Sequence, residues 1–208
     1  MGRRRTRRNG GGKIGKGNSG VVYYPALECD DPSKQPKGDY VSKETTLANA
    51  EAEFSKTKVL RDRAPSYAVY PEATCSRKGK GLVFSKYGGH NLSAYFTNLE
   101  QLATGSRFTW APAPKSVDDN ELNVIIAGLE GLARNIEEMN AAGFYHNDIS
   151  LDNIVFNPAT GKVYLIDFER MSNAPPAKGF DDRKMIASIV KDFKDYALKN
   201  FQRKREVK

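Results

Sequence analysis

Gly143-Phe144-Tyr145-His146-Asn147-Asp148-Ile149-Ser150-Leu151-Asp152-Asn153-Ile154, followed by Tyr164-Leu165-Ile166-Asp167-Phe168-Glu169, decides how the rest of this chain is read. A His-x-Asp triplet, an Asn five residues after that Asp, and an apolar run ending in Asp-Phe form a layout for handling a nucleoside triphosphate. Asp148 is placed to take the proton of an attacking hydroxyl, and Asn153 and Asp167 to hold Mg²⁺ against phosphate oxygens. A lone His-x-Asp carries no information. Three positions at this spacing, flanked by the β-like runs 154–156 and 163–166, carry far more. Immediately upstream, residues 120–142 place Leu122, Ile125, Ile126, Leu129, Leu132, Ile136 and Met139 at helical steps. That periodicity predicts a buried amphipathic helix, with Gly143 at its C-terminal cap delivering the loop that follows.

The pattern resembles the catalytic loop and metal-binding strand of the protein-kinase-like superfamily, and the chain ahead of it extends the likeness. Ile14-Gly15-Lys16-Gly17-Asn18-Ser19-Gly20-Val21-Val22-Tyr23 contains Gly-x-Gly-x-x-Gly. A dinucleotide fold needs a helix after these glycines, and here β-branched residues follow. A Walker A loop needs Ser or Thr after its Lys, and Gly17 follows Lys16. A strand–turn–strand hairpin remains, in which Gly15, Gly17 and Gly20 let backbone amides approach ATP phosphates, with Ile14 and Val22 beside them. Asp39–Lys43 reads as a short strand whose Lys43 resembles the family's α/β-phosphate lysine. Residues 45–63 have helical composition and would supply its carboxylate partner, Glu53, with Glu51 as the alternate. Leu82–Gly89 resembles the hinge, where backbone groups near Lys86 and Tyr87 would hold adenine. Asn91-Leu92-Ser93 opens a further helix, Trp110–Pro114 is a loop, and Phe180–Leu198 is a last amphipathic helix. Asp181 or Asp182 either buttresses the catalytic loop or caps that helix.

Composition bounds the rest. The 208 residues carry a formal charge of +8, with 39% hydrophobic and 28% charged residues. That is ordinary for one domain or two small lobes. Residues 1–17 hold seven Lys and Arg and no acid, and residues 200–208 four against one, leaving 22 basic and 24 acidic residues between them. The basic character therefore sits in the tails. This argues against a nucleic-acid surface on the folded body, and leaves the Arg-rich arm free to contact nucleic acid or an anionic surface. No apolar run is long enough to span a membrane and no secretory signal is present, so a cytoplasmic location (host cytoplasm or virion for a viral protein) is expected. Cys29 and Cys75 lack metal-ligand spacing and are expected to be reduced thiols.

Within residues 13 to about 195 the chain is most similar to the compact serine/threonine kinases of large DNA viruses. The likeness rests on the glycine hairpin, Tyr23–Cys29, Val41-Ser42-Lys43, Tyr87-Gly88-Gly89 and Gly143–Ile149. Four departures stand out. Asn147 replaces a common Arg, so control by a phosphorylated activation loop is not expected. Ser150 replaces the Lys that usually touches the transferred phosphate in serine/threonine kinases. Glu169 replaces the Gly of Asp-Phe-Gly, and no Ala-Pro-Glu segment follows. His-Asn-Asp with Ile-Asp-Phe-Glu is also similar to choline and aminoglycoside kinases. The resemblance implies a minimal bilobal α+β kinase: basic arm 1–12, β-rich N-lobe 13–87, helical C-lobe 88–199 and basic tail 200–208. It implies ATP and Mg²⁺ as cofactors and a protein Ser/Thr hydroxyl as acceptor. The alternatives are a small-molecule kinase and a catalytically silent virion scaffold.

Overall fold

The computed structural model describes residues 11–17, 20–63, 68–96, 119–175 and 181–206. Residues 1–10 of the arm expected over 1–12, the loop at 110–114 and the last two residues lie outside them. The chain forms two compact units, Met1–Tyr87 and Gly88–Lys208. The class is α+β, as the sequence leads one to expect.

The first unit is an antiparallel five-stranded sheet with one helix. Its strands are β1 (Gly12–Gly17), β2 (Gly20–Tyr24), β3 (Tyr40–Thr45), β4 (Ala73–Arg77) and β5 (Lys80–Lys86), in the order β1-β2-β3-β5-β4. The β4–β5 hairpin turns at Lys78 and Gly79, both with positive φ (48° and 77°), the two-residue geometry that follows the natural twist of paired strands. Helix α1 (Leu47–Arg63) starts at Thr46, whose Oγ1 accepts from the Asn49 amide. It lies on the sheet face shown by Gly81, where an added Cβ would meet Thr46 O at 2.6 Å and Ala50 Cβ at 2.7 Å. Leu82 and Phe84 point to the opposite face and pack with Leu27 and Cys75.

That second cluster contains the main departure from the sequence reading. Cys29 and Cys75 are joined in a disulfide, with Cα atoms 5.9 Å apart, so the expectation of reduced thiols is corrected. The Asp30 amide donates to Ser76 O, which sets the segment after β2 alongside β4 and brings the two sulfurs together. Strand β4, which the sequence reading left unassigned, is the missing half of that arrangement.

The second unit is built around α2 (Asp119–Ala141), whose Leu122, Ile125, Leu129, Leu132, Ile136 and Met139 are buried. Its end is a Schellman turn. The Phe144 amide donates to Met139 O, the Gly143 amide to Asn140 O, and Gly143 has φ 82°. A three-stranded sheet follows, β6 (His90–Asn91), β7 (Ile154–Asn157) and β8 (Lys162–Leu165), in that order. Gly128 lets α2 close onto β8, since a Cβ there would sit 2.5 Å from Val163 Cγ2. Helix α3 (Asp182–Glu206) buries Ile186, Ile189, Phe193 and Tyr196. A helical turn at residues 92–96 contributes Tyr95, edge-on to Phe156. No helix among the described residues is long and apolar enough to cross a membrane.

Candidate active site

Each unit gathers its own set of functional side chains. In the first, sheet register determines which residues meet. Val22 pairs with Lys43 and Lys43 with Val83, so all three share the face that carries α1. Glu53 is the carboxylate that α1 turns to that face. Lys43 Nζ lies 3.0 Å from Glu53 Oε2, with side chains 14% and 7% exposed, whereas Glu51 is exposed. Gly15 pairs with Val22 and joins this face, while a bulge at Ile14 leaves that side chain exposed. The three glycines divide by cause. A Cβ on Gly20 would lie 2.4 Å from Glu44 O, so Gly20 is required by the sheet itself. Among the described residues Gly15 meets only Val22, at 3.7 Å, and Gly17 nothing within 4 Å, so packing against them does not account for either. Residues 18 and 19, at the tip of the hairpin, lie outside the described residues.

Lys86 and Tyr87, expected to lie near adenine, are engaged locally. Lys86 pairs with Glu72 at 3.5 Å, the Tyr87 ring stacks on Tyr24 at 4.6 Å, and the Tyr87 amide donates to Asp39 O. Glu72 also accepts from the Tyr40 hydroxyl, which pushes the Tyr40 pKa up to about 12.

In the second unit, the 144–153 loop is held from three sides. Asp182 accepts the backbone amides of His146 (2.7 Å) and Asn147 (3.0 Å) on its two carboxylate oxygens. Both roles weighed for the acidic pair are present, split between neighbours. Asp182 fixes the loop, and Asp181 Oδ1 caps α3 by accepting from Arg183 and Lys184. His146 is fully buried, its Nε2 lies 3.0 Å from Ile166 O, and its ring meets Phe168 edge-on. A carbonyl only accepts, so Nε2 carries the hydrogen and Nδ1 is left as a buried acceptor with no partner among the described residues. Burial lowers the His146 pKa and keeps the ring neutral. Asn147 takes the left-handed conformation (φ 63°), and its Nδ2 donates to Tyr145 O, Arg170 O and Ser172 Oγ. The position that carries Arg in many kinases thus carries a short-range staple here.

Of the three polar groups singled out first, two are hydrogen-bonded side chain to side chain and the third lies on the adjoining segment. Asn153 Nδ2 donates to Asp148 O (2.8 Å) and Oδ2 (3.0 Å). The Ile166 amide donates to Asn153 O, which sets Asn153 beside Asp167, itself left-handed at φ 61°. Asp and Asn tolerate this conformation better than other side chains, and holding it costs on the order of 1 kcal/mol or more. The donor set fits Mg²⁺. Asn153 commits its amide nitrogen to Asp148 and keeps its carbonyl oxygen, Asp167 offers a carboxylate, and this cation takes one or two protein oxygens and completes its shell with phosphate. No group of three or more His, Cys, Asp and Glu side chains gathers for a metal among the described residues, so the pair is not a self-sufficient metal cage. Arg170 was missed from sequence. Its Nη1 lies 3.6 Å from Asp148 Oδ1, three residues beyond Asp167, and that short spacing was its only signal.

Residues 116–206, less than half of the chain, match the family model of the lipopolysaccharide kinase (Kdo/WaaP) family. The matched segment contains α2, the 144–153 loop, Asp167 and α3. This family lies in the protein-kinase-like superfamily, and the match supports a phosphotransferase. No curated protein matches the chain.

Proposed function

We propose that the protein transfers the γ-phosphoryl group of ATP to a hydroxyl of a sugar or other small molecule. One observation carries the reading. The Asn153 side chain is hydrogen-bonded to Asp148, and the backbone bond from Ile166 to Asn153 sets Asp167 on the adjoining segment, in a stretch that also matches a kinase family named for a saccharide-bearing acceptor. In this reading Asp148 orients the acceptor hydroxyl and takes its proton, while Asn153 and Asp167 hold Mg²⁺, which neutralises phosphate charge when bound. Lys43, oriented by Glu53, contacts the α- and β-phosphates. The backbone at Gly15, Gly17 and Gly20 lies along the triphosphate between Ile14 and Val22, and backbone groups near Lys86 and Tyr87 receive the base. His146 and Asp182 position the loop and touch no reactant. Catalysis then comes mostly from positioning and charge stabilisation.

A second reading, a serine/threonine protein kinase of the compact viral type, is favoured by the first unit. Its glycine hairpin, Val41-Ser42-Lys43 and Tyr87-Gly88-Gly89 carry that resemblance, and the Arg-rich arm would contact nucleic acid or an anionic surface. An acceptor panel separates the two. Purified protein with Mg²⁺ and γ-labelled ATP is offered neutral sugars, acidic sugars, lipopolysaccharide core, choline and a basic protein substrate. Label on a saccharide supports the first reading, and label confined to protein supports the second. Absence of label on any acceptor, with no ADP formed, removes both.

A further inference from the structure

We propose that Arg170 supplies the positive charge met by the transferring phosphoryl group beside Asp148, the part that Ser150 leaves unfilled; this rests on the phosphotransfer reading above. Position 150 is a hydroxyl where serine/threonine kinases usually have a cation, so the loop itself brings no positive side chain to the group being transferred. Arg170 brings one from the neighbouring segment, with Nη1 3.6 Å from Asp148 Oδ1. Its backbone is fixed by bonds independent of that ion pair. Arg170 O accepts from Asn147 Nδ2 at 3.2 Å, the Met171 amide closes a turn onto Phe168 O, and the Tyr145 and Ser172 backbones exchange two hydrogen bonds. The backbone is therefore held while the guanidinium, 60% exposed, is free to swing.

The pairing also has a chemical consequence. Asp148 Oδ2 accepts from Asn153 and Oδ1 faces Arg170, so an acceptor hydroxyl bonded to Oδ1 shares that oxygen with the guanidinium. The negative charge it can move to is the phosphoryl group arriving beside that hydroxyl. In the transfer, the bond from the γ-phosphorus to the β,γ-bridging oxygen breaks and a bond from phosphorus to the acceptor oxygen forms. The hydroxyl proton passes to Asp148 and ADP leaves. Between those events charge is spread over the three equatorial oxygens, where a planar five-donor cation can meet it.

The test uses ADP, Mg²⁺ and aluminium fluoride, which together mimic the transferring phosphoryl group, with Mg-ADP alone as reference. Arg170→Ala is expected to weaken binding of the aluminium fluoride complex by about 10²-fold while leaving Mg-ADP affinity within about threefold. Arg170→Lys is expected to lose less, and adding Ser150→Lys to Arg170→Ala to recover about tenfold or more. Amide exchange at residues 146–148 should be unchanged in Arg170→Ala, which a merely structural arginine would not allow. Equal weakening of Mg-ADP and its aluminium fluoride complex overturns the proposal. So does turnover that rises in Arg170→Ala, which would make Arg170 a clamp on Asp148. Wild-type protein that binds neither species refutes the phosphotransfer reading itself, a failure distinct from either of these.

Discussion

Asp182→Ala tests the claim that one carboxylate holds the 144–153 loop in place. Asp182 is 2% exposed and receives two backbone amides, from His146 at 2.7 Å and Asn147 at 3.0 Å. Hydrogen bonds to an ionised acceptor contribute about 1.5–3 kcal/mol each, and the two donors would stay in the interior without a replacement. Their loss sums to about 3–6 kcal/mol, against a total of about 5–15 kcal/mol for a typical domain. Asp182→Asn keeps one acceptor oxygen and turns an NH₂ group toward the other amide, so it should cost about half as much or more. Asp181→Ala removes only an exposed helix cap and should cost about 1 kcal/mol. Urea unfolding followed by circular dichroism gives the free energies, and amide exchange at His146 and Asn147 locates the effect. If Asp182→Ala costs no more than Asp181→Ala, or leaves the His146 amide as slowly exchanging as in wild type, the loop is held by something else.

Reducing the Cys29–Cys75 disulfide opens a link across 46 residues, and the chain-entropy estimate for such a loop is about 4 kcal/mol; thermal melts with and without dithiothreitol should show a clear loss, and equal melting temperatures would count against the link. His146 has a depressed pKa, so the unfolded chain binds a proton below about pH 6.5 that the folded chain refuses. Its contribution is intact above that pH and falls by up to about 1.4 kcal/mol per unit on acidification; urea midpoints between pH 7 and 5 should drop more steeply in wild type than in His146→Gln. Glu53→Gln leaves the Lys43 ammonium without its buried partner and should cost about 3 kcal/mol, whereas Lys43→Met with Glu53→Met should cost much less; a double-mutant cycle showing no coupling would contradict the pairing.

How much of this was legible depended on whether the information was local in the chain. The helix expected over 120–142 runs from Asp119 to Ala141, because seven apolar residues at helical steps, six of them buried, and a terminal glycine specify both face and end. The bond from Asn153 to Asp148 and the pairing of Asn153 with Ile166 followed from loop and hairpin spacing. The preference for Glu53 over Glu51 had no such support. Helix α1 has almost no amphipathic pattern, and its orientation is set by the close approach at Gly81 and by the register that puts Lys43 beside Val83. The two acidic neighbours at 181 and 182 were indistinguishable until the loop they flank was in place. The disulfide was hidden for a related reason. Its cysteines are 46 residues apart, and strand β4, which brings Cys75 to Cys29, is short and polar. Arg170 escaped notice because a cation after Asp-Phe-Glu means nothing until its distance to Asp148 is known.

The central claim is that Asp148 serves the acceptor and Asp167 the metal-bound nucleotide, and one paired measurement addresses it directly. Mg-ATP affinity and phosphoryl transfer from γ-labelled ATP are determined for wild type, Asp148→Asn and Asp167→Asn, with Asn chosen at 167 because it tolerates the left-handed backbone there. The account predicts transfer by wild type. Asp148→Asn should keep nucleotide affinity and turn over about 10²-fold more slowly, and Asp167→Asn should lose Mg²⁺-dependent affinity and turnover together. Wild-type protein that transfers no phosphate, with a nucleotide affinity that neither substitution changes, would contradict it.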